Sequence, residues 1–280
     1  EYYDCFKYMY GDCVIIIDDL FSDYNSLVGL LNEKVDELYM VNFHYLFRKI
    51  LPNLNKSIIK NELFLCNVAN FTNQYVLPIF NDITEFYERK LIDKIYALDE
   101  SVYEMLKKND YNIEKLELKL PFNGNISLQN KEKLSIGILS NDYDPVGNFY
   151  NMLTSTAMVR ELSFVKFIPY MNASREFFNH FEINHKFVEN LDEVIKDNYV
   201  NLYCNFTNTN PILVIKSMDM GIPCIVGNTS MFDDNRVLKD LLVLKSDDDV
   251  NEIAERINNI KKNYENIFKE YTKWRTKYEK

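Results

Sequence analysis

Residues that break regular structure are scarce in this chain. Seven glycines and seven prolines in 280 residues are too few for a collagenous or low-complexity protein. No stretch approaches the ~20 uninterrupted apolar residues that a bilayer crossing requires, so a soluble, globular protein is expected. Positive charge is in deficit, with 32 Lys and Arg against 42 Asp and Glu for a net charge of −10. A phosphate backbone rewards a basic surface, so the balance argues against a nucleic-acid partner. The five cysteines, Cys5, Cys13, Cys66, Cys204 and Cys224, are odd in number and form no CxxC pair and no ligand spacing with histidine. That fits a reducing cytoplasm better than a disulfide framework or a zinc site, and no metal is expected. The chain starts at Glu1 with neither an initiator Met nor a signal-peptide pattern, so a piece of a longer protein is expected.

What is present is apolar content, 47% of residues, enough for two cores of ordinary size. Short β-rich runs alternate with amphipathic helical stretches, the sequence form of βαβ units and parallel sheets. A first series holds CVIII (13–17), VDELYMVNF (35–43), ELFLCNVAN (62–70) and IDKIYAL (92–98), with helices predicted over 75–90 and 101–108. It fades in LPFNGNISLQNKEK (120–133), where Pro121, Gly124 and a polar run mark a linker. A second series comprises KLSIGILS (133–140), SFVKFIPY (163–170), NHKFVE (184–189), VNLYCNF (200–206), IPCIVGN (222–228) and LLVLK (241–245), which reads as six strands. A last helix begins near Asp249 and keeps one face apolar from Val250 to Trp274 at spacings of three and four.

The segment CNFTNTNPILVIKSMDMGIPCIVGN (204–228) concentrates the functional signal. A strand leads through a polar loop to Pro211, which suits the first helical position because its missing N–H would be unpaired there. Asn210 is a plausible N-cap. Gly221 suits a left-handed helix stop, and Pro223 a strand start. Free amides at such a helix start, at the carboxyl end of a parallel strand, suit an anion such as a diphosphate. An ordinary capped helix in an α/β fold explains the same spacing.

Pro211, four apolar residues and Lys216-Ser-Met-Asp-Met-Gly221-Ile-Pro223-Cys-Ile-Val together resemble the donor-site segment of retaining GT-B glycosyltransferases of the family 4 kind. The resemblance extends over residues 35–280 and is strongest over 200–260. It implies an α/β GT-B fold, two Rossmann-like parallel-sheet domains facing across a cleft, with the first lacking early strands. The expected divisions are 1–125 on the acceptor side, 126–262 for the nucleotide sugar, and a helix over 263–280 returning toward the first domain.

The implied function is transfer of a hexose from a UDP- or GDP-linked nucleotide sugar to a glycan, protein or lipid-linked acceptor. It would proceed with retention and need neither metal nor cofactor beyond the co-substrate. Where the family carries its two donor-site Glu residues, this chain has Asn208 and Lys216. Where a cation usually meets the diphosphate, it has Gly147 and Asn148. Arg160, Lys166 and Arg175 are the nearest cations in sequence. The resemblance then assigns phosphate to amides around Asn210 and Gly147, sugar to Asn208 and Thr209, and a ribose or phosphate edge to Lys216 in an altered mode. His44, at the end of a predicted first-domain strand, is the catalytic candidate, although a lone His among aromatics also suits a core.

These substitutions keep a second class open, a catalytically degenerate GT-B subunit that binds an acceptor or a partner glycosyltransferase. An epimerase on the same plan lacks a carboxylate and His set for proton transfer. FRKILPNLNKSIIK (47–60), with Arg48, Lys49, Lys56 and Lys60, reads as a solvated helix and loop or as a peripheral contact with the inner membrane face. SDDDVNE (246–252) reads as N-terminal capping of the last helix. A homo- or hetero-oligomer is compatible with all of this.

Overall fold

A computed structural model describes residues 3–14, 24–43, 45–55, 60–65, 76–98, 100–116, 120, 122, 124, 126–128, 134–140, 147–168, 179–206 and 211–279. Two compact units divide the chain, Tyr2–Lys119 and Leu120–Lys280.

The first unit runs α1 (Tyr3–Tyr10), α2 (Tyr24–Lys34), β1 (Glu37–Val41), α3 (Phe47–Ile50), β2 (Lys60–Leu65), α4 (Val76–Glu88), β3 (Lys94–Ala97), α5 (Glu100–Lys108) and β4 (Ile113–Lys115). Its four strands lie in the order β1-β2-β3-β4, and every neighbouring pair is parallel. Alternation along the strands sends Met40, Leu63, Leu65, Ile95 and Ala97 into a core with Ile83, Phe86, Val102 and Leu106 of the helices. Phe6 and Tyr10 of α1 stack on Phe64 and Tyr39 of the sheet.

The strand expected over CVIII falls mostly on 15–17, outside the described residues, and Gly11–Cys13 forms a 3-10 turn. Strand β4 has no counterpart in the sequence reading, because three residues are too few to show a period. In the basic stretch, Arg48 pairs with Asp82 at 2.6 Å and Lys60 with Glu62 at 3.3 Å, so both charges are already answered within the unit.

The second unit runs β5 (Leu134–Ile138), α6 (Phe149–Ala157), β6 (Leu162–Phe167), β7 (His185–Phe187), α7 (Leu191–Ile195), β8 (Val200–Tyr203), α8 (Pro211–Asp219), β9 (Cys224–Val226), α9 (Arg236–Leu242) and α10 (Val250–Tyr278). The sheet order is β7-β6-β5-β8-β9, parallel throughout. Ile136, Ile138, Val165, Phe167, Val200, Leu202, Ile225 and Val226 are all fully buried, as strands covered on both faces must be.

The expected sixth strand is not formed. In LLVLK, Leu241 and Leu242 close helix α9, which Asn235 caps by accepting from the Leu238 amide. Only Val243 reaches the sheet, through a single bridge to Val226.

Two local devices fix this unit. Gly137 on β5 faces a buried amide pair: a Cβ there would lie 2.2 Å from Asn201 Oδ1 and 2.3 Å from Asn198 Nδ2. Asn198 Nδ2 donates to Asn201 Oδ1 at 2.7 Å, Asn201 Nδ2 to Ser217 Oγ at 2.8 Å, and Ser217 Oγ to the Ile222 carbonyl at 2.8 Å. These bonds tie the start of β8 to α8.

The second device ends α8. Gly221 has φ +72, with its amide donating to the Met218 carbonyl and that of Ile222 to Ser217, a Schellman stop. The linker crosses directly over it, since a Cβ on Gly221 would lie 2.0 Å from the Ser127 carbonyl oxygen.

Helix α10 starts at Asp249, whose carboxylate accepts from the amides of Asn251 and Glu252. It buries Ile253, Ile257, Ile260, Ile267, Phe268, Tyr271 and Trp274 in the second unit's core. Its last turns also hold a buried charge. Arg275 donates to Asp219 at 3.0 Å, to Glu279 at 2.6 Å and to the Gly124 carbonyl at 2.5 Å, while Tyr271 Oη donates to Asp219 at 2.8 Å.

Candidate functional site

Strand order reverses between β5 and β8, because the chain moves outward from β5 through β6 to β7 and then returns to the other side of β5. At such a reversal the two following loops leave in opposite directions, and a crevice opens outside the carboxyl ends of the strands. The loop from β5 to α6 and the loop from β8 to α8 both begin there.

Asn148 organises this end of the sheet. It stands just before α6 with φ 52 and ψ 23 and is 3% exposed. Its Nδ2 donates to the carbonyls of Cys204 and Asp247, at 2.6 Å each, and its Oδ1 accepts from Asn151 Nδ2 at 2.7 Å. The side chain therefore ties the entrance of α6 to the end of β8 and to the loop before α10. It does not cap its own helix. Gly147 beside it is buried, and its carbonyl accepts from Ser140 Oγ at 3.3 Å.

The β9 edge of the same region is equally close-packed. A Cβ on Gly227 would meet the Asn205 carbonyl at 2.8 Å and Asp247 Oδ1 at 2.9 Å. The Asn228 amide donates to Asp247 Oδ1 at 2.5 Å. Burial pushes the Asp247 carboxyl above the usual carboxylate range, against the opposing pull of the Asn228 amide.

The sequence-predicted residues divide into two groups. His44, Asn208, Thr209 and Asn210 lie outside the described residues, as does Arg175. Gly147 and Asn148 stand at the strand reversal, and Asn148 spends its side chain on main-chain carbonyls. Lys216 lies in the last turns of α8 and pairs with Asp192 of α7 at 2.6 Å.

Lys166 is 7% exposed and donates to the carbonyls of Glu193 and Lys196, at 3.1 and 2.5 Å, so it closes the end of α7. Burial holds its ammonium below the ordinary lysine range. Cys204 and Cys224 are fully buried, and burial pushes both thiols up, which leaves neither as a nucleophile. Among the described residues no three His, Cys, Asp or Glu side chains gather as a metal site. No described helix is long and apolar enough to cross a membrane.

Sequence reasoning passed over Asp247. In SDDDVNE the acids do cap α10 through Asp249, and Glu252 pairs with Arg256 at 2.6 Å. Asp247 turns instead to Asn228 and Asn148. Only its place ahead of the cap residue could have set it apart.

Two cavities in the second unit lie away from the strand reversal. One, of about 630 Å³, runs between the linker at Gly124 to Leu128 and the last turns of α10. The other, of about 900 Å³, lies at the amino end of the sheet, beside Leu134, Ser163 and Tyr199.

No family model matches the chain. Flagellar hook-associated protein 1 of Buchnera aphidicola subsp. Schizaphis graminum is 32% identical over 105 residues, which is 37% of this chain and 19% of that protein. Three solved structures resemble the chain over most of its length. TarM of S. aureus superposes with a TM-score of 0.69 at 12% identity, covering 88% of this chain and 53% of that one. Sucrose-phosphate synthase of Thermosynechococcus elongatus gives 0.63 at 10% identity, covering 91% and 73%. The pneumococcal O-GlcNAc transferase GtfA gives 0.58 at 10% identity, covering 91% and 58%. The chain thus spans about half the length of TarM and has the α/β fold of the GT-B glycosyltransferases.

Proposed function

We propose that the GT-B fold of this chain serves glycosyl transfer, with a nucleotide sugar held in the second unit where β5 and β8 part. The strand reversal carries the reading: β5 and β8 are neighbours, and the chain goes on from β5 through α6 to one side of the sheet and from β8 through α8 to the other. Helix starts at the carboxyl ends of parallel strands suit a diphosphate through their dipoles and backbone N–H groups. TarM, solved with UDP and alpha-GlcNAc-glycerol, and GtfA, solved with UDP and GlcNAc, support a uridine-linked donor.

The reaction we assign is transfer of a hexose from a UDP- or GDP-sugar to a glycan, protein or lipid-linked acceptor. It proceeds with retention and without a metal. Amides around Gly147 and Asn210 hold the phosphates, Asn208 and Thr209 the sugar, and His44 is the catalytic candidate. Leaving-group charge is met by fixed dipoles in place of a side-chain cation.

A degenerate subunit is the second reading, and two observations favour it. Asn148 is spent on the Cys204 and Asp247 carbonyls, and Lys216 is held by Asp192, so neither is free to meet a donor. A Glycosylation Associate Protein complex from Streptococcus agalactiae also shares the fold, with a TM-score of 0.53 at 12% identity.

Calorimetric titration with UDP- and GDP-sugars separates the two. A transferase binds at least one of them. A chain that binds none, and gains no affinity from the double change Asn208→Glu and Lys216→Glu, is a scaffold.

A further inference from the structure

The larger cavity, at the amino end of the second unit's sheet, has no part in the proposed donor site. The reversal between β5 and β8 opens at the carboxyl ends of the strands, whereas this hollow of about 900 Å³ is floored by Leu134, at the start of β5, and Ile257 of α10. Its volume is in the range of small-molecule sites.

The chemistry of the walls selects among ligands. Two cations, Arg160 and Lys261, share the cavity with two carboxylates, Glu161 and Glu255. None of the four makes an ion pair with another described residue. In the same unit Lys216, Lys239, Arg256, Arg275 and Lys277 all have carboxylate partners. The four formal charges cancel, so a phosphate or nucleotide would gain from the cations what it lost to the carboxylates. A purely apolar ligand would strip water from all four without replacing it.

A neutral polyol meets each group on its own terms. Arg160 and Lys261 only donate, Glu161 and Glu255 only accept, and the amides of Asn258 and Asn259 do both. Each sugar hydroxyl both donates and accepts. The C–H face of a pyranose ring suits the partly buried ring of Tyr199 and the exposed thioether of Met158, which is 45% exposed. Glu161 also sits at φ +59, a left-handed conformation that a Glu side chain rarely adopts. It lies in the tight turn between α6 and β6.

We infer that this cavity is a second carbohydrate site, built for an uncharged oligosaccharide, at the opposite end of the sheet from the donor crevice. Its occupancy is independent of transfer chemistry. Only the naming of its ligand as an acceptor glycan rests on the proposed function. A site one strand length from the transfer point would retain a polymeric acceptor between successive additions, a gain in effective concentration without new contacts at the donor.

The test is ligand-observed NMR and calorimetry on the whole chain with three neutral trisaccharides, of glucose, of galactose and of N-acetylglucosamine. The paired change Glu255→Ala and Asn258→Ala removes two exposed groups and leaves the buried face of α10 intact. At least one trisaccharide should bind, and the paired change should weaken it about tenfold. UDP-sugar affinity should stay as it was. No binding by any of the three at about 10 mM overturns the inference. So does binding that the paired change leaves untouched. Trisaccharide binding by the unaltered chain without any UDP-sugar binding counts against the donor reading alone.

Discussion

Asp219 and Arg275, 56 residues apart in sequence, meet at 3.0 Å with their side chains 5% and 7% exposed. The pair is completed by Tyr271, Glu279 and the Gly124 carbonyl, so every arm of the guanidinium has an acceptor. Removing Asp219 leaves the guanidinium with the more exposed Glu279 and a carbonyl but without its buried counter-charge. Asp219→Ala should cost about 3–5 kcal/mol, read as a lower urea midpoint. The double change Asp219→Leu with Arg275→Met should recover most of that loss. Trp274, the sole tryptophan, 4% exposed and one residue from Arg275, reports the transition by fluorescence.

Tyr271 predicts alkaline sensitivity. Burial first, and then the Asp219 carboxylate, push its phenol well above the ordinary tyrosine range. A group whose folded pKa is raised contributes stability that is complete below its unfolded value and is lost as pH rises beyond it. Melting temperature should therefore fall from about pH 10 upward, the unfolded tyrosine value. Tyr271→Phe should begin from a lower stability and show a shallower alkaline fall.

Asn148→Ala deprives two carbonyls of their donor and puts at φ 52 a residue that tolerates the left-handed region less well than Asn. The expected cost is about 2–4 kcal/mol. Asn148→Gly should recover about 1 kcal/mol, the backbone part, without restoring the ties. If the strand reversal holds the donor, both variants should also weaken UDP-sugar binding, because the loops after β5 and β8 lose their shared tether. Unchanged affinity in both would move the donor elsewhere.

Gly137 and Gly29 should respond to alanine with opposite signs. At Gly137 the new methyl overlaps Asn201 and Asn198, and overpacking of this kind costs about 1–3 kcal/mol. At Gly29, within α2, a Cβ meets nothing within 4 Å. Gly29→Ala should add about 0.5–1 kcal/mol. Chemical denaturation of the two single variants checks both.

Features set by neighbours along the chain were legible in the sequence. Gly221 as a helix stop, Asp249 as a cap and the apolar face of α10 all follow from spacings of a few residues, and each is present. LLVLK misled because a five-residue apolar run does not tell the end of a helix from a strand. The ties of Asn148 were hidden for a different reason. Its acceptors are main-chain carbonyls 56 and 99 residues away, and a carbonyl leaves no mark on residue identity. Arg275 on the apolar face of α10 is a similar case, since its answer, Asp219, sits on another helix. The order of strands, which locates the crevice, is a property of pairing that no single run contains.

Gly221 is more than a terminator for α8. With the Ser127 carbonyl lying where its side chain would have to go, and the Ser127 amide donating to the Asp219 main-chain carbonyl at 3.0 Å, the crossover peptide is seated on that helix end. Excising the second unit for study alone would therefore have to retain the chain from Leu120 onward. A cut made later, at the start of β5, would unroof the stop of α8 and take from Arg275 both its carbonyl acceptor and the Phe122 ring beneath it.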